Sequence, residues 1–228
     1  MRGPMFAVTA LAVAAALPPA AAQPTQAELR RSVNNLKQIG LAFHNYDSAY
    51  GKFPNNVYKD GTALLSWRVA ILAFVEEDAL FRQFKMDEAW DGPTNKKLVE
   101  KMPKLYAPVR GKAAAGETFY RGFAGRRLPF GPDDVRTGKI LGYTDGTSNT
   151  GLVFEAAEPV IWTKPDDLTL PEKGPLPKLG GMFDGVANVV LADGSVMRLR
   201  ADPDPAELRN LIDPADGNVV DFAKLRAR

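Results

Sequence analysis

The chain has 228 residues with no cysteine, one histidine and 29 basic against 27 acidic side chains, a formal charge of +2. This excludes a disulfide framework and thiolate metal sites, and a single imidazole removes the usual zinc ligand sets. The near balance of charge offers no electrostatic basis for nucleic-acid binding, which calls for a clustered basic surface.

Residues Met1 to Ala22 follow the order of a secretory signal. Arg2 precedes an alanine-rich apolar run from Phe6 to Leu17; the helix-breaking Pro18-Pro19 and Ala20-Ala21-Ala22 follow. The run is shorter than the about 20 apolar residues a spanning helix needs, so cleavage is expected over retention as an anchor. Without cysteine, no lipid attaches at the cut. An exported product, periplasmic or extracellular, with no stable membrane span is expected, built as a signal over 1–22 and a single domain over 23–228.

Thr25 and Glu28 form a capping box that opens a helix running to about Tyr50. Leu29, Val33, Leu36, Ile39, Phe43, Tyr46 and Tyr50 recur at steps of three or four, forming one apolar stripe, and Gly51 and Pro54 end it. Ser66 caps a second helical region reaching about Phe84, apolar almost all round in its first half and so expected to be buried on several sides. A short helix over Thr94–Lys101 follows the Asp91-Gly92-Pro93 turn and stops at Pro103.

Beyond Pro103 glycine and proline are frequent and apolar runs shorten to strand length. Candidate strands are Lys104–Ala107, Thr118–Phe123, Gly151–Ala156, Val160–Thr163, Val186–Ala192 and Ser195–Arg200. Asp193-Gly194 predicts a two-residue type I′ hairpin between the last pair. Pro165–Gly181 reads as a surface loop, and Pro205–Leu211 as a final helix with proline in its first turn. Helices followed by short strands predict an α+β fold: an N-terminal amphipathic helix across one face of an antiparallel sheet, with additional short helices.

Several stretches carry a family resemblance. Asn34 to Tyr46 (NNLKQIGLAFHNY), ending in Phe53-Pro54, resembles the opening signature of the bacterial "domain of unknown function 1559" family, also labelled solute-binding protein family 10. Ser66-Trp67-Arg68-Val69 with Trp90-Asp91 resembles its second block, and Asp145 to Thr150 (DGTSNT), Trp162 to Pro165 and Ala192 to Val196 its later ones. The resemblance implies a pilin-like or pseudopilin-like exported domain with no established activity. Two departures stand out. Relatives often carry a prepilin-type leader continuous with the long helix, whereas the signal here would be cut before it. Phe183 occupies the place, ten positions before the Asp-Gly turn, where relatives often have histidine, so a role tied to that imidazole does not transfer.

No catalytic pattern emerges. His44 is the only histidine, no nucleophile elbow is present, and the expectation is a residue at the core edge bonded to a backbone carbonyl or a sheet side chain. Asp145, Thr147 and Asn149 alternate as in a calcium loop, but Thr150 and Ala156 stand where glycine and glutamate are required. Neither Gly180-Gly181 nor Gly122 to Gly125 has nucleotide-loop spacing, and Arg126-Arg127 reads as solvated surface. Trp162, at a strand end before a proline-rich loop, suits either a glycan or peptide surface or packing under that loop. The resulting expectation is a non-enzymatic envelope protein without cofactor or metal, acting through self-association or an unidentified protein partner, with Trp162 and His44 as possible interaction residues. A small-solute or glycan-binding protein is the alternative.

Overall fold

The computed structural model describes residues 23–125, 127–131 and 139–227; the signal assigned to Met1–Ala22 lies outside them, as does Arg126. Helix α1 spans Gln26–Tyr50. Its capping box is present: the Glu28 amide donates to Thr25 Oγ1 at 3.2 Å and the Thr25 amide to the Glu28 carboxylate at 2.7 Å. Gly51, at φ 70°, closes the other end. Leu36, Ile39 and Phe43 are buried as the stripe requires, but Ser32, Asn35, Gly40 and Ala42 are buried with them, while Tyr50 is 62 % exposed. The seat of the helix is thus partly polar, and its last turn stands clear of the core.

A hairpin follows that the strand signals do not mark, β1 (Val57–Lys59) and β2 (Thr62–Leu65). Its turn is Asp60-Gly61, both at positive φ (50° and 77°), the geometry of a type I′ loop. The region 66–84 is not one helix. Ser66 caps α2 (Trp67–Ala70), a 3-10 turn covers Leu72–Phe74, and α3 (Asp78–Phe81) comes after Glu76 at φ 64°. Apolar residues on all sides are satisfied here by a folded-back chain surrounded by neighbours. Asn95–Lys101 is 3-10 helix, and Lys104–Ala107 is turn instead of strand, with the Tyr106 and Ala107 amides bonded to Pro103 and Lys104 carbonyls.

The strands are β3 (Glu117–Arg121), β4 (Phe123–Ala124), β5 (Gly151–Ile161), β6 (Leu168–Thr169), β7 (Ala187–Leu191) and β8 (Val196–Leu199). β3, β5, β7 and β8 form one antiparallel sheet in that order. Two expected strands, 151–156 and 160–163, are one strand with a bulge, where the Ala157 amide turns to the Lys178 carbonyl. The proline-rich segment 165–181 is therefore only partly loop: it supplies β6, parallel to β4, and a bridge from Leu179 to Ala156. After Leu191 the hairpin loop has three residues instead of two. The Leu191 amide bonds Ser195, the Gly194 amide bonds Leu191, and only Gly194 (φ 84°) is left-handed.

Side chains alternate across the sheet, and both faces are covered. Val153 and Val190 join the core beneath α1; Phe154, Val189 and Leu191 join a second core with Leu208, Leu211 and Ile212 of α4 (Pro205–Ile212) and Leu225 of α5 (Phe222–Leu225). The segment after α5 bonds the outer edge of β8, through the Ala227 amide to the Arg198 carbonyl. The chain is a mixed α+β protein with α1 laid on its antiparallel sheet.

Gly40 sets how closely α1 approaches. A Cβ there would stand 2.8 Å from Val190 Cγ2 and 3.3 Å from Gly194 Cα. Gly40→Ala gains about 1 kcal/mol of helix propensity and loses it to overpacking of about 1–3 kcal/mol. The expected result is a lower unfolding midpoint in urea at unchanged m-value; a raised midpoint would show that the seam is looser than described.

Candidate functional site

The sheet face under α1 carries one polar row crossing all four strands. Tyr120 on β3 pairs with Glu155 on β5, and Asn188 on β7 pairs with Arg198 on β8. The Asn188 amide closes the middle of the row by donating to Glu155 Oε2 at 2.8 Å. From α1, Ser32 donates to Glu155 and accepts from Asn188 Nδ2 (2.9 Å), while Asn35 donates to the Tyr120 hydroxyl (3.2 Å). Ser32 and Glu155 have no exposed surface and Asn188 has 1 %. Burial pushes the Glu155 carboxyl up to about 7; the Ser32 and Asn188 hydrogen bonds and the Arg198 charge oppose the shift without cancelling it. Burial likewise raises Tyr120, helped by Glu155.

Sequence reasoning did not single out this cluster. Its signal is a lone polar residue inside an otherwise apolar run: Glu155 within Leu152–Ala156, Asn188 within Ala187–Leu191, and Ser32 one turn before Leu36. Serine beside a carboxylate is the raw material of acid–base chemistry, but nothing can reach these atoms. The row can hold α1 in register and can carry a proton; it has no room for a substrate.

The second block forms another buried polar centre. Arg68, fully buried on α2, donates to the carbonyls of Trp162 (2.9 Å), Tyr120 (3.0 Å) and Lys164 (3.2 Å). Asp167 lies 3.6 Å from its guanidinium and accepts from Trp67 Nε1, Asn56 Nδ2 and the Gly122 amide. Burial lowers the Arg68 pKa, with Asp167 opposing. Ser66 bonds backbone to backbone with Thr163, so the Ser66–Val69 and Trp162–Pro165 motifs meet in one joint.

The Asp145–Thr150 motif is spent on the backbone. The Asp145 carboxylate accepts the Asp216 and Gly217 amides, Asn149 donates to the Asp145 carbonyl, and Thr150 donates to the Gly146 carbonyl. These side chains satisfy backbone groups locally, as short polar residues in turns do.

Trp162 is completely buried, stacked on Tyr106 at 5.8 Å, with its Nε1 donating to the Val99 carbonyl at 2.9 Å. The ring is core, as one of its two sequence readings had it, but its partners are Phe84, Val99 and Tyr106 from earlier in the chain, and it offers no surface to a glycan or peptide. His44 is half-buried, edge-on to Phe53 at 5.4 Å and facing Gly194 of the β7–β8 loop. The hydrogen bond expected for it is missing at Nε2, which is buried without a partner among the described residues. An apolar ring fills that place equally well: His44→Phe is expected to leave stability within about 1 kcal/mol of the parent or raise it, because an unsatisfied buried polar atom is removed. A loss beyond about 2 kcal/mol in denaturant unfolding would reveal a bond the fold relies on.

Among the described residues, two surface grooves stand out that are lined by neither Trp162 nor His44. One of about 490 Å³ lies between the proline-rich loop and the start of α4, with Leu176, Leu179 and Leu208 as its floor. The other, of about 430 Å³, lies between the first turns of α1 and β8. Arg127 pairs with Asp213 at 3.0 Å. Among the described residues, no cluster of three potential metal-binding side chains forms, and no helix is long and apolar enough to cross a membrane.

Residues 30–139 match the profile of a family described as "Protein of unknown function (DUF1559)". No curated protein and no solved structure matches the chain. The matched stretch begins in α1, includes the joint at Arg68 and ends after β4, so it contains the opening motif and the second block. Those motifs resemble this family, and the profile match over residues 30–139 bears the resemblance out.

Proposed function

We propose that the protein is an exported, non-enzymatic structural or interaction module of the cell envelope, pilin-like in design. The observation that carries this reading is where the motif residues go. Leu36, Ile39, Gly40 and Phe43 seat α1 on the sheet, Arg68 and Trp162 build a buried joint, and Asp145 holds a turn. Residues spent on holding a helix against a sheet serve a scaffold; an enzyme would present some of them in an open cleft. The small-solute or glycan reading loses its anchor with the burial of Trp162.

On this reading the leader is removed near Ala22, and α1 begins with no apolar extension ahead of it. Fractionation of expressing cells, with mass spectrometry of the product's amino terminus, tests this. A chain starting near Gln23 in the periplasm or medium is expected; a cytoplasmic chain with Met1 intact would refute the proposal. Retention of Phe6–Leu17 on an exported chain would convert the soluble module into an anchored one.

A further inference from the structure

The ends of α1 carry opposite chemistry. At its start, the 430 Å³ groove has Leu29 and Val33 as an apolar floor and Arg30, Lys37 and Arg198 as a cationic rim, with no acidic residue lining it. None of these three cations forms an ion pair with another described residue. At the other end, Tyr50 is 62 % exposed and packs with Tyr46 and Phe74 (4.5 and 6.0 Å between ring centroids). Glu76 and Glu77 come after Phe74 and Val75; Glu76 is exposed and held at φ 64°, a left-handed conformation uncommon for a non-glycine residue. Lys52 and Arg82 are cations near this tip, and Arg82 is bound to Asp78.

We propose that the groove receives the acidic, aromatic tip of a second copy of the chain, in a head-to-tail contact. Val33 and Tyr50 are 17 residues apart on one straight helix, about 25 Å, so the tip of a chain cannot fold back into its own groove. In the contact, Tyr50 covers the Leu29–Val33 floor while Glu76 and Glu77 meet the cationic rim. A contact between unlike patches is heterologous and repeats from copy to copy, so the product is a ring or an open chain of molecules. A groove of this size buries less than a standard interface, so the contact is weak, salt-sensitive and dependent on concentration. The inference rests on the reading of the protein as an interaction module and names its partner as itself.

Sedimentation velocity across a concentration series, at low and high salt, tests it on the protein purified from cells expressing the full chain with its own leader. Association at low salt that salt reverses is expected. Arg30→Glu with Lys37→Glu, and separately Glu76→Lys with Glu77→Lys, each weaken association at least about tenfold. Mixing the two variants restores it, because the reversed rim of one fits the reversed tip of the other. Tyr50→Ser, a change at an exposed ring, weakens association without charge reversal. A wild type monomeric throughout, variants that associate as the wild type does, or a mixture that stays monomeric would each overturn the proposal. None of these results bears on export, which the fractionation above decides.

Discussion

Arg68→Met is expected to cost about 3–5 kcal/mol and lower the thermal midpoint by about 6–20 °C. The guanidinium is fully buried and bonds three carbonyls from two separate segments, Tyr120 on β3 and Trp162 and Lys164 after β5. Removing it leaves those carbonyls without their side-chain donor and Asp167 beside an apolar side chain. Methionine fills much of the volume, so the loss reports on charge and hydrogen bonding more than on a cavity. Arg68→Lys is expected to recover little, because one ammonium on a flexible stem cannot span three acceptors that a planar fork reaches together. The double change Arg68→Met with Asp167→Leu removes both charges and is expected to recover part of the loss. Denaturant unfolding of the three variants checks the set; an Arg68→Lys variant as stable as the parent would contradict the fork.

Glu155 is expected to make the protein more stable at mildly acidic pH than at neutral pH. Its folded pKa, about 7, lies above the ordinary 4.5, so the folded state holds a proton that the unfolded state has released between those values. The resulting stability is fully present below pH 4.5 and is lost progressively as pH rises through about 7, a change of about 3 kcal/mol. Asp216 is raised by burial as well, whereas three glutamates act in the opposite sense. Glu28, Glu88 and Glu207 are lowered chiefly by backbone amides of Thr25, Asn95 and Asp221, and their contributions disappear as pH falls below the ordinary range. A maximum near pH 5 is the expected outcome. Glu155→Gln imitates the protonated form, its amide able to donate to Ser32 Oγ and its carbonyl able to accept from Asn188. The difference between parent and variant should therefore carry the pH dependence from 4.5 to 7. Parallel stability profiles for the two proteins across that range would contradict the assignment.

The sequence is legible where structure is local. The capping box at Thr25 and the stop at Gly51 locate α1 to within a residue, because both act through adjacent backbone groups. The two-residue hairpin expected at Asp193-Gly194 forms instead at Asp60-Gly61, which the strand pattern does not mark; at Asp193-Gly194 the strands continue into a three-residue loop that lies against His44 of α1. The segment from Ser66 to Phe84 shows where pattern fails. Apolar residues on every side signal burial but not how the chain turns, and Glu76 breaks it. The polar row was hidden for a related reason. Ser32, Glu155 and Asn188 are 123 and 33 residues apart along the chain, and only the strand register brings them together. A lone glutamate in a strand looks like its solvent-facing side until both faces of that strand prove to be covered.

Ser32, Tyr120, Glu155 and Asn188 beneath α1 form a sealed structural seam that no substrate enters. Carbon-13 NMR titration of the Glu155 side-chain carboxyl in the folded protein measures this most directly. A midpoint near 7, with the resonance unaffected by added small carboxylates or sugars, is the predicted result. A midpoint near the ordinary 4.5, or a resonance that shifts when such ligands are added, would show an open site and contradict it.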